Sequence, residues 1–386
     1  MNITIIPRHL HGEVTVIPSK SQAHRLLICA AFADRPTQLI CGETNRDIEA
    51  TVDCLRALGA EIISTDSGYT VFPVQNIPEN AVLPCCESGS TLRFMLPLVG
   101  ALGVDGTFTL AGRLADRPLS PLWEEMERMG CSLSRPTKDT LCCHGKLRSG
   151  EYSIDGGVSS QFITGLLFAH MLMENCSLTV TGKLESKPYI DLTKAALDLF
   201  EDCHSPGSVT VEGDWSNGAF WLAANSLGSE LTISGLNSDS LQGDRAVVDI
   251  LLQLESGTPT ISVADIPDLV PILSVVAAAC HGAVFTDIQR LRLKESDRVA
   301  STMAMIENLG GRAEATDDTL TIYGTGLTGG TVDAVNDHRI AMAAAIAATV
   351  CKKEVTILGA ECVQKSYPRF WEEYARLGGK YEQHIR

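Results

Sequence analysis

Apolar and polar positions sort the helical segments of this chain into two kinds. The first is amphipathic and closes on glycine before a strand: LRALGAEI (55–62), MERMGCSL (126–133), IENLGGRAE (306–314) and YARLGGKYE (374–382). Apolar residues at helical spacing, with a polar opposite face, predict helices laid against a core. The glycine after each last turn is expected to be a left-handed cap. The second kind is apolar on every face: TLRFMLPLVGAL (91–102), FITGLLFAHMLM (162–173), ILSVVAAA (272–279) and AAAIAATV (343–350). A helix without a polar stripe is buried all round. The expected fold class is therefore α/β with a helical interior sheathed by sheets and outer helices, the reverse of the usual layering.

The amphipathic endings recur. Gly59 and Gly130 lie 71 residues apart and Gly310 and Gly378 lie 68 apart, with LDLFEDC near 200 and LLQLESG near 254 as weaker copies. Six units of about 64 residues fill the 386-residue chain. Each is expected to run strand, helix, strand, helix, strand, and repeats in one chain share one packing solution.

Charge narrows the function. With 31 Lys and Arg against 47 Asp and Glu, net −16, the chain is a poor nucleic-acid binder, because phosphate backbones are held by clustered positive charge. Any anion it holds must meet a local concentration of basic residues. The most apolar stretches, 270–280 and 340–351, are shorter than the ~20 residues that span a bilayer. The start, MNITIIPRHLHGEVTVIP, lacks a basic segment followed by an apolar run, so neither membrane nor secretion is expected and the cytoplasm is the default. Thirteen cysteines, an odd number with adjacent pairs Cys85–Cys86 and Cys142–Cys143 and no C-x-x-C, suggest neither a disulfide framework nor a metal site. Cys29, Cys54, Cys280 and Cys351 sit in apolar patterns as small hydrophobes.

Candidate chemistry lies in six polar clusters, each expected to open a buried helix: SKSQAHR (19–25), ESGSTLR (87–93), Ser159-Ser160-Gln161, KESDR (294–298), NDHR (336–339) and Lys365 before SYPRFWEEY. A helix N-terminus offers free N–H groups and about half a positive charge. Serine hydroxyls, glycine and a Lys or Arg added to it make a phosphate or carboxylate cradle. Ser and Asp are also ordinary N-caps, but caps do not need cations, and five of the six clusters carry them. Asp47, Asp268, Glu295 and Asp337 lie among these cations, where a carboxylate stays ionised and can accept a proton. Asp268, opening an apolar helix after Pro267, is the carboxylate whose desolvation most needs a functional reason. GTGLTG (324–329) matches a dinucleotide fingerprint but is followed by GTVDAV and no acidic residue at the right distance, so it reads as a turn. No P-loop occurs. His9 and His11 read as surface residues, His24 and His338 as positional ones, and Ser159 lies in no G-x-S-x-G elbow.

These blocks, with ADRP (115–118), ESKPYI (185–190), VEGDWS (211–216), QGD (242–244) and IPD (266–268), resemble the ordered motif series of the 5-enolpyruvylshikimate-3-phosphate synthase family over residues 12 to 377. The resemblance implies two similar lobes, each of three repeated β/α units packed as sheets and outer helices around buried helices, an inside-out α/β barrel, with substrates between the lobes. The chain would cross twice, giving one lobe from 1–19 and 213–386 and another from 20–212. Anionic ligands would favour a closed state. The implied reaction transfers the enolpyruvyl (carboxyvinyl) group of phosphoenolpyruvate to the 5-hydroxyl of shikimate 3-phosphate, releasing phosphate on the route to chorismate and aromatic amino acids. No cofactor, metal, nucleic acid or membrane is implied, and a monomer is expected.

By the same resemblance Lys20, Ser21, Arg25, Ser159 and Ser160 would bind shikimate 3-phosphate, together with Gln161, Ser186, Asp268 and Lys294. Lys20, Gly89, Arg117 and Gln161 would bind phosphoenolpyruvate, together with Arg298, Arg339 and Lys365. Asp268 would take the hydroxyl proton, Glu295 and Lys20 would move the proton on and off C3, and Lys365 would protonate the departing phosphate. Two departures stand out. Glu87-Ser88-Gly89-Ser90 replaces the family's usual N-A-G-T and brings an acidic group near the phosphoenolpyruvate residues, and Arg290 replaces a common Asn, so that contact is not carried over. The alternatives are the sister enolpyruvyl transferase acting on UDP-N-acetylglucosamine and an inactive anion-binding regulator on the same fold. The former usually has Lys-Asn where this chain has Lys20-Ser21, and a reactive loop Cys.

Overall fold

The computed structural model describes residues 1–384. The chain separates into two compact units: Met1–Ile17 with everything from Gly213 onward, and Pro18–Glu212. The first division falls two residues before the expected one, because Ser19 belongs to the helix it caps. Its hydroxyl accepts from the Gln22 N–H, and its own N–H donates to the Glu212 carbonyl at 2.8 Å.

The first unit opens with β1 (Asn2–Ile6) and β2 (His11–Thr15). The second unit then runs α1 (Lys20–Ala31), β3 (Thr37–Ile40), α2 (Arg46–Ala57), β4 (Glu61–Thr65), β5 (Gly68–Phe72), β6 (Asn80–Cys86), α3 (Gly89–Leu102) and β7 (Asp105–Leu110). It continues through α4 (Leu122–Arg128), β8 (Cys131–Thr137), β9 (Thr140–Gly145), β10 (Gly150–Asp155), α5 (Ser160–Met171), β11 (Cys176–Thr181), α6 (Lys187–Leu199) and β12 (Ser208–Thr210). The first unit resumes with α7 (Trp215–Ser226), β13 (Glu230–Ser234), α8 (Val247–Ser256), β14 (Thr260–Ser262), α9 (Val270–Ala279), β15 (Gly282–Thr286) and α10 (Arg298–Asn308). It ends with β16 (Arg312–Ala315), β17 (Thr319–Tyr323), β18 (Gly330–Asp333), α11 (His338–Ala347), β19 (Val355–Leu358), α12 (Phe370–Arg376) and β20 (Lys380–His384).

Odd-numbered helices are the interior. Every residue of α11 and all but Ser90 and Leu102 of α3 are buried, and α1, α5, α7 and α9 are nearly as enclosed. Close crossing of α3 and α5 depends on Gly165, where a Cβ would stand 2.1 Å from the Arg93 carbonyl oxygen. Even-numbered helices bury one face only. The four expected glycine caps are left-handed, with φ of 102° at Gly59, 116° at Gly130, 85° at Gly310 and 91° at Gly378. Each unit has its own hydrophobic core.

The sheets are ordered β12-β3-β5-β4, β6-β7-β9-β8 and β10-β11 in the second unit, and β18-β19-β1-β20, β14-β15-β17-β16 and β13-β2 in the first. Each contains one parallel pair. The expected closing strand of the repeat is two antiparallel strands in four cases and is missing in two. GTGLTG lies in the loop between β17 and β18, and the thirteen cysteines are free thiols.

One expectation is corrected by the topology. KESDR opens α10, and Lys365 ends the turn before α12; both are outer helices, not buried ones. Parallel strands end at the same sheet edge, so the buried helix following one strand and the outer helix following its partner both start there. β14 leads to Asp268 and α9 while β15 leads to KESDR and α10; β18 leads to NDHR and α11 while β19 leads to Lys365 and α12. The carboxyl edge of parallel strands is where α/β sheets gather ligand groups.

Candidate active site

In the second unit, Lys20 starts α1 and its ammonium lies 2.9 Å from the Asp47 carboxylate at the start of α2. Arg25, one turn on, is buried and fully committed. It donates to Thr193 Oγ1 at 2.9 Å, the Tyr189 carbonyl at 2.8 Å and the Ser21 carbonyl at 2.5 Å, with its guanidinium 5.2 Å from the Phe94 ring centre. Burial brings its pKa down to about 10, still charged at neutral pH. His24 is kept neutral, first by burial and then by Lys20 and Arg25. Its Nδ1 starts a hydroxyl chain through Thr51 and Thr91 to Ser88, every link at 2.7 Å.

The start of α3 is shaped by two guanidinium groups. A Cβ on Gly89 would stand 2.5 Å from Arg117 Nη1 and 2.7 Å from Arg93 Nη1, so only glycine leaves both in place. Arg93 donates to Gln161 Oε1 and to the Pro118 carbonyl, each at 3.1 Å, while Gln161 Nε2 donates to Ser90 Oγ at 3.0 Å. Ser90 thus orients Gln161. Glu87 packs over Gly112, its carboxylate 2.6 Å from where a Cβ would be. Ser159 caps α5 by accepting from the Gln161 N–H; Ser160 follows it and is buried. Ser186 opens α6, buried, with φ 56°.

In the first unit the cations and carboxylates form one network. Arg298, 1% exposed, donates to Asp268 at 2.6 Å, Glu295 at 2.6 Å and Asp337 at 2.9 Å. Arg339 holds the other Asp268 oxygen at 2.9 Å, and the Lys294 ammonium lies 3.6 Å away. Burial alone would raise the Asp268 carboxyl; Arg339, Lys294 and Arg298 outweigh it and hold the group well below the usual carboxylate range. Lys294 is brought down to about 8 by burial, against the attraction of Asp268. Asp337 caps α11 by accepting from the Arg339 N–H at 3.0 Å. The turn before it places Val335 and Asn336 in the left-handed region, φ 44° and 58°, unusual for a β-branched residue. That turn presents the Asn336 carbonyl to the Lys365 ammonium at 2.9 Å.

Asp244, buried beneath this network, receives the Ser216 hydroxyl and has its carboxyl raised to about 7 by burial and by Asp268. Between its unfolded value of 3.8 and about 7, the native chain keeps a proton that the unfolded chain has released. Stability contributed by Asp244 should therefore fall as pH rises across that window. Asp244→Asn should flatten the slope, read as urea midpoints at pH 5 and pH 8; equal slopes in the two proteins would contradict the assignment.

A family model described as EPSP synthase (3-phosphoshikimate 1-carboxyvinyltransferase) matches residues 5–374. The chain belongs to the EPSP synthase family. Relatives named 3-phosphoshikimate 1-carboxyvinyltransferase include one from Clostridium kluyveri, 37% identical over 418 aligned positions covering 99% of this chain and 98% of the relative. Another, from Clostridium beijerinckii, is 35% identical with the same coverage. A solved EPSP synthase structure from Acinetobacter baumannii shares the fold with a TM-score of 0.79, at 22% identity, over 99% of this chain and all of that one.

Within this family frame, the structure draws Asp268, Lys294, Glu295, Arg298 and Arg339 into one ionic network and gathers Gly89, Arg117 and Gln161 around Arg93. Lys20 and Arg25, one turn apart on α1, have separate partners. Three residues of these networks were not assigned from sequence. Arg93 and Asp244 stood inside quoted motifs, ESGSTLR and QGD, and Asp337 was noted only as a carboxylate among cations. The signal for Asp337 was its place before a buried apolar helix, the same feature that singled out Asp268. No cluster suited to a metal ion occurs among the described residues, and none of their helices is long and apolar enough to cross a membrane.

Proposed function

We propose that this chain transfers the enolpyruvyl group of phosphoenolpyruvate to the 5-hydroxyl of shikimate 3-phosphate and releases phosphate, in the cytoplasm, on the route to aromatic amino acids. Each unit is read as an inside-out α/β barrel. The residues named in the sequence keep their proposed roles. Lys20, Ser21, Arg25, Ser159, Ser160, Gln161, Ser186, Asp268 and Lys294 serve shikimate 3-phosphate. Lys20, Gly89, Arg117, Gln161, Arg298, Arg339 and Lys365 serve phosphoenolpyruvate.

The observation carrying this reading is the Asp268 carboxylate held by Arg298, Arg339 and Lys294. With both guanidinium groups on Asp268, the carboxylate is a weak base. An anionic substrate competes for the same N–H groups and neutralises their field, and Asp268 then rises in basicity when a hydroxyl is present to be deprotonated. In this reading Glu295, held by Arg298, and Lys20, held by Asp47, carry the proton on and off C3, and Lys365 serves the leaving phosphate. Fixed charges of both signs suit a reaction that builds positive character at C2 and negative charge on phosphate.

Purified protein with phosphoenolpyruvate should release phosphate when shikimate 3-phosphate is added and not when UDP-N-acetylglucosamine is added. Release with the second acceptor alone would assign the sister activity, and release with neither would leave a regulator. Gly89→Ala should push Arg117 and Arg93 off their positions and raise KM for phosphoenolpyruvate about tenfold, equivalent to ~1.4 kcal/mol, with KM for shikimate 3-phosphate little changed. Steady-state kinetics in both substrates checks this, and an equal rise in both constants would mean a general distortion instead.

A further inference from the structure

In the four complete sheets an antiparallel strand lies beside the second strand of the parallel pair: β5 on β3, β9 on β7, β17 on β15 and β1 on β19. Among the described residues β11 and β13 have no such neighbour, because the chain passes from α6 to β12 and from α8 to β14 without a hairpin. The alignment with the Clostridium kluyveri relative runs over 418 positions against 386 residues here, so at least 32 positions of that relative have no counterpart in this chain.

The two open edges are treated differently. On β13 the Asn225 side chain donates to the Leu231 carbonyl and accepts from the Leu231 N–H, both at 2.8 Å, which closes that edge at Leu231 to another strand. β11 has no such cover. The Thr181 carbonyl accepts from the Gly156 N–H on the β10 side at 2.9 Å, so Ser177, Thr179 and Thr181 turn their backbone toward β10, and Cys176, Leu178 and Val180 turn theirs outward. Among the described residues no protein group bonds those outward N–H and C=O groups. The strand reads CSLTVT, six residues without charge, proline or bulge. The devices that normally protect an edge strand are all missing.

We propose that a second copy of this chain occupies this edge, with β11 paired antiparallel to its counterpart about a two-fold axis through Leu178. Leu178 then faces Leu178 of the second copy, Cys176 faces Val180, and Ser177 faces Thr179. The outward groups of Cys176, Leu178 and Val180 form three reciprocal pairs, six hydrogen bonds in all. The result is a four-stranded sheet, the size of the complete sheets in each unit. Two uncharged strands meet without the like-charge repulsion that a net −16 chain imposes elsewhere. Self-pairing also closes, whereas pairing with a different edge would propagate into filaments, and β13 is blocked by Asn225. One strand edge buries less than the ~1,200 Å² of a standard interface, so the dimer is weak, with Kd on the order of tens of micromolar. Well below that concentration the chain is the monomer expected from the sequence, and above it the dimer.

Sedimentation velocity of the full chain from 2 to 300 μM should show a 41.4 kDa species giving way to one of twice that mass. Val180→Lys introduces a charge at the seam and should weaken the dimer at least tenfold. Val180→Pro removes one outward N–H while leaving the β10 ladder intact and should do the same. Both should keep wild-type phosphate release, since β11 carries no proposed site residue. A wild-type chain that stays monomeric at 300 μM, that assembles without limit, or whose dimer resists Val180→Lys would overturn the proposal. If Val180→Pro lowers the melting temperature, the lysine variant alone decides.

Discussion

Arg298→Ala should destabilise the first unit by about 3–5 kcal/mol, the usual cost of removing one partner from a buried ion pair, seen as a fall in melting temperature on the order of 10 °C. Arg298 is almost wholly buried and its fork joins carboxylates on three segments: Asp268 before α9, Glu295 before α10 and Asp337 before α11. Without it, Asp268 still has Arg339 and Lys294, and Glu295, 28% exposed, can turn to water. Asp337 is 0% exposed and is left with the Ser296 hydroxyl and the Arg339 N–H. It therefore carries most of the cost. Arg298→Lys should recover little, because one ammonium cannot reproduce a planar fork spanning three carboxylates. Adding Asp337→Asn to Arg298→Ala should restore about half the loss, since asparagine still caps α11 and leaves no charge stranded. Thermal and urea denaturation of the four proteins would test this, and a second substitution without rescue would place the cost elsewhere.

Much of this architecture is written locally. FITGLLFAHMLM and ILSVVAAA have no polar stripe, so their burial can be read directly, and Gly59, Gly130, Gly310 and Gly378 mark helix ends because a left-handed cap favours glycine whatever surrounds it. The anion clusters are local too, a serine or aspartate cap followed by a cation. The pattern could not give the kind of helix each cluster opens. KESDR and the segment ending at Lys365 lead into outer helices, and only the parallel pairing of β14 with β15 and β18 with β19 shows why their cations share an edge with those of α9 and α11. Nor could it show that two repeats lack their hairpin, since equal division of the chain by six assumes equal repeats. Partners were hidden for a third reason: Arg298 bonds carboxylates 30 and 39 residues away, and no periodicity specifies which. Asp244 was visible in QGD, but its raised carboxyl comes from burial and from Asp268, both products of tertiary packing.

Asp268→Asn separates proton transfer from substrate capture. Asparagine keeps the shape and offers one oxygen to a guanidinium but cannot take a proton, so turnover should fall by about 10²–10⁴, the range for loss of a general base. The effect on anion binding should have the opposite sign. In the native protein one nitrogen each of Arg298 and Arg339 is held by Asp268, which competes with an incoming carboxylate or phosphate for their charge. Neutralising position 268 removes that competition and leaves more uncompensated positive charge among Arg298, Arg339 and Lys294. Phosphoenolpyruvate should then bind the variant at least as tightly as it binds the native chain, and more so at low salt, where screening is weakest. Calorimetric titration together with single-turnover phosphate release gives both quantities. Lost turnover with retained or tighter binding is the outcome expected of a base held in check by its own cations. Loss of both would make Asp268 a structural counter-ion for Arg298 and Arg339, and unimpaired turnover would move the base to another group.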